Sequence, residues 1–286
     1  MRTGHDKRLN GKLDPGAPKR LFPRDGISWR VNREMILLLG GGRALLMQVA
    51  HPKVAAAVAE HSDFAKDPLG RLHRTMNTMW SIVFDEIPVA QASLDRIKNV
   101  HQKVRGVVGQ SELSFASSRY DALDPELLFW VHATLVDSSM LAYDRLVKPL
   151  PPVDASRYYE ESKLLAQSFE IPEGLVPKSL GEFHAYMDTM LAGKQISVGP
   201  AARSLAKDIL YPPTRLLKPA GPLLRLITSG LLPPTLRESY EIAWNKRREK
   251  AFKLVVGILR NLLPLVPGPL RIVPQARAAE KARGGI

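Results

Sequence analysis

Two histidines stand where helices should turn inward. His101 aligns with Leu94, Ile97, Val104 and Val108, and His132 with Leu128, Leu135, Ser139, Ala142 and Leu146, so helical periodicity puts both imidazoles on core-facing stripes. Upstream, Arg71, Arg74, Thr75 and Thr78 recur at helical spacing and form one polar stripe beside an apolar face of Leu72, Met76, Met79, Trp80 and Val83. Cations on a half-buried helix are costly unless something faces them. A lone inward histidine is more often a hydrogen-bonded core residue than a ligand. Two of them, with a stripe of cations and hydroxyls nearby, suit a haem, which needs one axial imidazole, apolar walls and donors on the side where oxygen chemistry develops charge.

Other chemistries find less support. The chain has no cysteine, which excludes disulfides, zinc–thiolate sites, iron–sulfur clusters, thiolate-ligated haem and cysteine nucleophiles. It has no Glu-x-x-His pair for a di-iron bundle, no His-Glu-x-x-His and no nucleophile-elbow serine. Leu39-Gly40-Gly41-Gly42 precedes a helix and could receive a phosphate. No strand leads into it and no Lys-Ser/Thr pair follows, so a helix break is the expected role.

The elements that must position these groups all read as helices. Residues 1–27 are rich in glycine, proline and basic side chains and are expected to form a flexible arm. A first helix should start near Ser28 or Asn32 and stop at the glycine triplet. A second should run from about Arg43 to Ala59, kinked by Pro52 beside His51. Asp67-Pro68 opens a helix to Phe84, with Asp67 as its cap, and the next spans about Val89–Val108. Asp124-Pro125 starts one to about Leu146, and further helical patterns lie at about 154–170, 179–191, 200–210 and 235–263. Residues 264–286 return to proline, glycine and basic residues and are expected to be a poorly ordered tail. No period-two strand series and no repeat is visible. The expected fold is all-α, one domain over residues 28–263 between the arm and the tail.

Composition sets the outer bounds. At 286 residues and 45% hydrophobic content the chain can bury a sizeable core. Its 41 basic against 28 acidic residues give a net charge of +13, which favours acidic partners. Much of that charge sits near the ends, and no aromatic residues interleave it as stacking on bases would require, so no specific nucleic-acid partner is expected. The polar N-terminus lacks the apolar stretch of a secretory signal, and the apolar runs at 36–50 and 252–266 are interrupted before they reach spanning length. A cytoplasmic protein without a transmembrane segment, with peripheral membrane contact as an option, is the expectation.

The strings RALLMQVAHPKVAAAVAEHSDF, DPLGRLHRT, HQKVRG, YDALDPELLFWVHATLVDS and LPPTLRESYEIAW, in this order, resemble the haem-containing oxygenases that include latex clearing protein and the MpaB-type enzyme of mycophenolic acid biosynthesis. The resemblance covers roughly residues 28–250. It implies a globin-like helical core with extra helices, a b-type haem, and cleavage or oxygenation of an apolar, often isoprenoid, small molecule with O2 as co-substrate. Carried over by motif, the axial histidine and metal ligand falls on His101, and the oxygen-side catalytic cluster on Arg71, Arg74 and Thr75. His132 is a second histidine close to the cofactor and the alternative ligand, and Met79 helps to wall the haem pocket. His51 and His61 match the family's His-Pro and His-Ser steps and read as structural, with the pocket lining as their other role. Asp137 and Arg105 read as salt-bridge residues before haem-side partners. Two departures narrow the substrate. Rubber-cleaving members carry lysine at the position of Arg74, and arginine does not deprotonate to act as a base. Those enzymes are also exported, whereas no export signal is seen here, which points away from polymeric rubber. The alternative of another class is a non-catalytic helical module that binds lipid or an anionic membrane through the basic arms and the amphipathic 252–263 segment.

Overall fold

In the computed structural model, residues 19–62, 68–109, 118–211 and 219–282 are described, apart from the side chains of residues 68–69 and 71–72. In chain order the helices are α1 (Ile27–Asn32), α2 (Gly41–Val49), α3 (Pro52–His61), α4 (Pro68–Phe84), α5 (Ile87–His101), α6 (Pro125–Leu146) and α7 (Pro152–Ser168). They continue as α8 (Leu180–Ala192), α9 (Pro200–Leu210), α10 (Gly221–Leu231), α11 (Pro234–Ser239), α12 (Lys246–Leu262), α13 (Gly268–Arg271) and α14 (Pro274–Lys281). Proline punctuates this order. It occupies the first or second position of α3, α5, α6, α7, α9, α10, α11, α13 and α14, where its missing N–H costs nothing.

The core is built around α6. Asp124 caps it by accepting the Glu126 N–H at 3.0 Å, and its 22 residues are apolar on nearly every side. Trp130, Ala133, Ala142 and Leu146 are fully buried. Around α6 pack α1, α2, α7 and α12, together with the 3-10 turn Met35–Gly40. The glycine triplet, expected to stop a helix, instead permits close packing as α2 begins. A Cβ on Gly40 would lie 2.9 Å from the Ala142 Cβ, and one on Gly42 would lie 2.9 Å from the Thr228 Cγ2.

Four other expectations are revised. Pro52 breaks the second helix into α2 and α3 rather than kinking it, because the residue before proline is pushed out of the α region; His51 is extended at φ −83°, ψ 121°. α5 ends at His101 instead of Val108, and Arg105–Val107 (β1) pairs antiparallel with Arg119–Asp121 (β2). The segment read as 235–263 is two helices, separated by a link in which Glu241 is left-handed at φ 57°. Helix α10 falls in a stretch read as a proline-rich break.

Both ends are tied down where they are described. Phe22 is buried with Trp29 and Phe84, and the first turn of α1 is capped from afar: the Ile27 and Ser28 N–H groups donate to the Glu161 carboxylate of α7 at 3.0 and 2.7 Å. In the expected tail, Arg271 grips Glu34 through two hydrogen bonds of 2.8 and 2.9 Å, and Glu280 accepts from Trp29 Nε1 and Arg33, both at 2.9 Å. Buried Val273, Ala276 and Ala279 lay α14 against the Trp29–Phe84 cluster. The fold is a single all-α domain with one two-stranded ribbon among the described residues.

Candidate functional site

α4 and α5 are joined by Asp85 and Glu86 alone and pack on each other, so they form an antiparallel hairpin. His101 lies fourteen residues beyond Ile87. At the helical rise it is about 21 Å from the hairpin turn. The Ser93–Ser81 hydrogen bond of 3.2 Å sets the register between the two helices, which puts His101 level with about His73, within a turn of Arg71, Arg74 and Thr75. The sequence-predicted ligand and the predicted oxygen-side cluster share the open end of one hairpin.

Burial grades along α4. Ile82 and Phe84 are fully buried at the closed end, Met76, Met79 and Trp80 are half-buried, and His73, Arg74 and Thr75 are exposed. Trp80 packs against the cluster that holds Trp29 and Phe84. The Thr78 hydroxyl donates back to the Arg74 carbonyl at 2.9 Å, and Gln275 of α14 donates to Asn77 at 3.2 Å. The Arg71 side chain and Asp67, the expected cap of α4, lie outside the described residues.

His101 is half-buried as the last residue of α5, below buried Leu94 and half-buried Ile97. Its Nδ1 is buried and has no hydrogen-bond partner among the described residues. Burial pushes its pKa below the usual histidine value, which favours the neutral ring with a free lone pair. His132 is buried in the middle of α6, and its Nδ1 is likewise unpartnered. Burial drives its pKa down to about 4.

The other motif residues have structural partners. His51 caps α3 by accepting the Lys53 N–H at 3.3 Å, and burial with nearby Lys53 lowers its pKa to about 4. His61 Nε2 lies 3.1 Å from the Tyr120 hydroxyl and 3.3 Å from the Arg105 carbonyl, which ties the end of α3 to the ribbon. Tyr120 donates to Glu60. Arg105 pairs with Asp121 across the ribbon at 2.9 Å, and Asp137 pairs with buried Arg43 at 2.5 Å, so both make salt bridges.

A cavity of about 770 Å³ opens where α3, α6 and α8 meet. Its wall combines Phe129, Leu175, Tyr186, Met190 and Ile196 with the polar groups His51, Lys53, Glu126 and Lys194. Neither His101 nor the α4 cluster lines it. Phe129 links it to the other histidine, with its ring centroid 6.1 Å from that of His132. Of these lining residues the sequence reading offered only His51. Tyr186 and Met190 sit at i and i+4 on α8, a spacing that signals a shared face but not a cavity.

The nitrogen donors present have the chemistry a haem would use, and neither His101 nor His132 lines the 770 Å³ cavity. Among the described residues no three His, Asp or Glu side chains converge to cage a bare ion, and a porphyrin brings four ligands of its own and asks the protein for one imidazole. Two buried imidazole nitrogens without partners are donors of the right kind.

A family model described as "ER-bound oxygenase mpaB/B'/Rubber oxygenase, catalytic domain" matches residues 29–261. Two curated relatives are each 29% identical over 232 residues, covering 78% of this chain and 87% of theirs: uncharacterized protein Mb2261 of Mycobacterium bovis and uncharacterized protein Rv2237 of Mycobacterium tuberculosis. No solved structure gives a significant match.

Proposed function

The chain belongs to the mpaB/rubber oxygenase catalytic-domain family, and from that premise we propose that it is a haem b-dependent oxygenase acting with O2 on an apolar, isoprenoid- or lipid-like small molecule. The observation that carries the reading is the unpartnered, buried Nδ1 of His101 at the open end of the α4–α5 hairpin, level with Arg71, Arg74 and Thr75. When bound, the haem supplies the redox chemistry that O2 requires. His101 would hold it through a neutral imidazole, the form that burial favours. Arg74 and Thr75, exposed on α4, would supply a positive charge and a hydroxyl donor toward developing negative charge, and the family motif assigns Arg71 the same part. Met76 and Met79, half-buried on the same helix, are the apolar side chains offered as walls of the site, whereas Trp80 belongs to the Trp29–Phe84 cluster.

A second assignment of the ligand rests on one observation: Phe129 stands between His132 and the 770 Å³ cavity. With His132 as ligand, that cavity is the substrate chamber. One experiment separates the two. The protein is expressed with iron and haem precursor and its visible spectrum recorded. A Soret band is expected, and His101→Ala abolishes it while His132→Ala keeps most of it. The reverse pattern transfers the ligand to His132, and a parent protein that takes up no haem refutes the proposal.

A further inference from the structure

Of the twelve large apolar side chains exposed among the described residues, five lie between positions 254 and 270. Leu254, Ile258 and Leu262 recur at every fourth residue of α12 and are 64, 48 and 52% exposed. Leu265, 77% exposed, carries the stripe into the 3-10 turn Leu263–Leu265. This is not the helix's packing face. On the opposite side Phe252, Val256 and Leu259 cluster with Ile227 and Leu231 of α10. The last turns of α12 are thus apolar both toward the core and toward solvent.

Charge borders the outward stripe. α12 carries six basic residues and a single acidic one, Glu249. Lys246, Arg247, Arg248, Lys250 and Lys253 are exposed. At about 100° per residue, Lys246, Lys250 and Lys253 fall along one edge of the Leu254–Ile258–Leu262 line, and Arg247 stands at its N-terminal end. Glu249 points away from the stripe and is occupied, accepting from Trp244 Nε1 at 2.9 Å and pairing with Lys253 at 3.3 Å. An apolar line edged by cations matches the layered chemistry of a membrane surface, with acyl chains below and anionic headgroups at the rim. A second copy of the same face would oppose cations to cations on a chain of net charge +13.

We infer that the outward face of α12, from Leu254 to Leu265, seats the protein in the plane of an anionic lipid surface. The helix lies on the membrane and does not cross it: no helix among the described residues is long and apolar enough to span one. This goes beyond the oxygenase reading, and its test involves no activity.

The test is co-sedimentation of the full chain with phosphatidylcholine vesicles, with and without phosphatidylglycerol, across a series of salt concentrations. Binding is expected with the anionic vesicles, weakening as salt rises. The double change Leu254→Ser with Ile258→Ser leaves every charge in place and should weaken binding roughly a hundredfold or more, since two buried aliphatic contacts are lost. Lys250→Gln with Lys253→Gln should weaken it about tenfold and flatten the salt dependence. The second pair carries the test if the first does not fold. No binding by the parent overturns the inference. So does unchanged binding by the serine variant, which would assign attachment to the basic termini. A dimer that the serine variant abolishes, without vesicle binding by the parent, also overturns it.

Discussion

Replacing Arg43 tests how α6, which carries His132, is held in place. Arg43 is only 5% exposed, yet its guanidinium serves three acceptors on two other helices. Nε donates to the Leu231 carbonyl of α10 at 2.8 Å, Nη1 to the Ser138 hydroxyl at 2.6 Å and Nη2 to the Asp137 carboxylate at 2.5 Å, the last two on α6. Arg43→Ala removes all three donors and strands a carbonyl and a carboxylate. Breaking a buried ion pair from one side costs about 3–5 kcal/mol. The Asp137 side chain keeps 21% exposure and can draw water, which sets the expectation near the lower end, about 3 kcal/mol. In a domain of this size that is a melting temperature lowered by roughly 6–12 °C. Arg43→Lys keeps the charge but not the fork, since a single ammonium cannot reach three acceptors in fixed directions, and should lose about half as much. Asp137→Ala, added to Arg43→Ala, should cost about 1–3 kcal/mol less than the two single changes combined. Circular dichroism melts and urea titrations of the parent and the four variants measure this. A melting point for Arg43→Ala within about 2 °C of the parent, or strict additivity of the pair, refutes the account.

Acid should destabilise the fold through its buried histidines. Burial holds both His51 and His132 at about 4 in the folded chain, below the ordinary 6.5. The unfolded chain therefore binds the proton first as pH falls, so stability is full above about 6.5 and drains away between there and about 4, by roughly 2–3 kcal/mol for His51. Protonation also turns the Nδ1 that caps α3 from acceptor to donor. Urea unfolding at pH 7 and at pH 4.5 should show the loss, and His51→Asn, which still caps but does not titrate, should shrink it; an equal loss in that variant refutes the assignment. Gly230→Ala should cost about 1–3 kcal/mol by overpacking, because its Cβ would sit 2.6 Å from Phe252 Cε2 where α10 meets α12. A melt unchanged from the parent would mean that Phe252 moves freely there.

What the sequence made legible was local, and what it hid was long-range. Helices α4, α6 and α9 announce themselves within a few residues: an Asp-Pro or Gly-Pro start, an apolar stripe, and a stop at a turn or proline. The family strings needed no contact information either. The helix break at Pro52 and the ribbon after His101 were misread because periodicity extrapolates through a segment until a side chain or a partner strand stops it, and β2 arrives only at Arg119. The described parts of the expected arm and tail, residues 19–27 and 264–282, pack on the domain, a contact hidden for the complementary reason. Proline, glycine and basic composition shows no apolar stripe of its own. It does not reveal that Glu34, near the start, waits for Arg271, or that Glu161 of α7 will cap α1. The candidate site divides along the same line. His101 and the α4 cluster were visible as positions on stripes, and a hairpin with a two-residue turn then suffices to bring them level. The cavity beside Phe129 needs α3, α6 and α8 to meet, three segments more than a hundred residues apart end to end. No spacing rule on any one of them contains that meeting, which is why Phe129, Tyr186 and Met190 come together only in the folded chain.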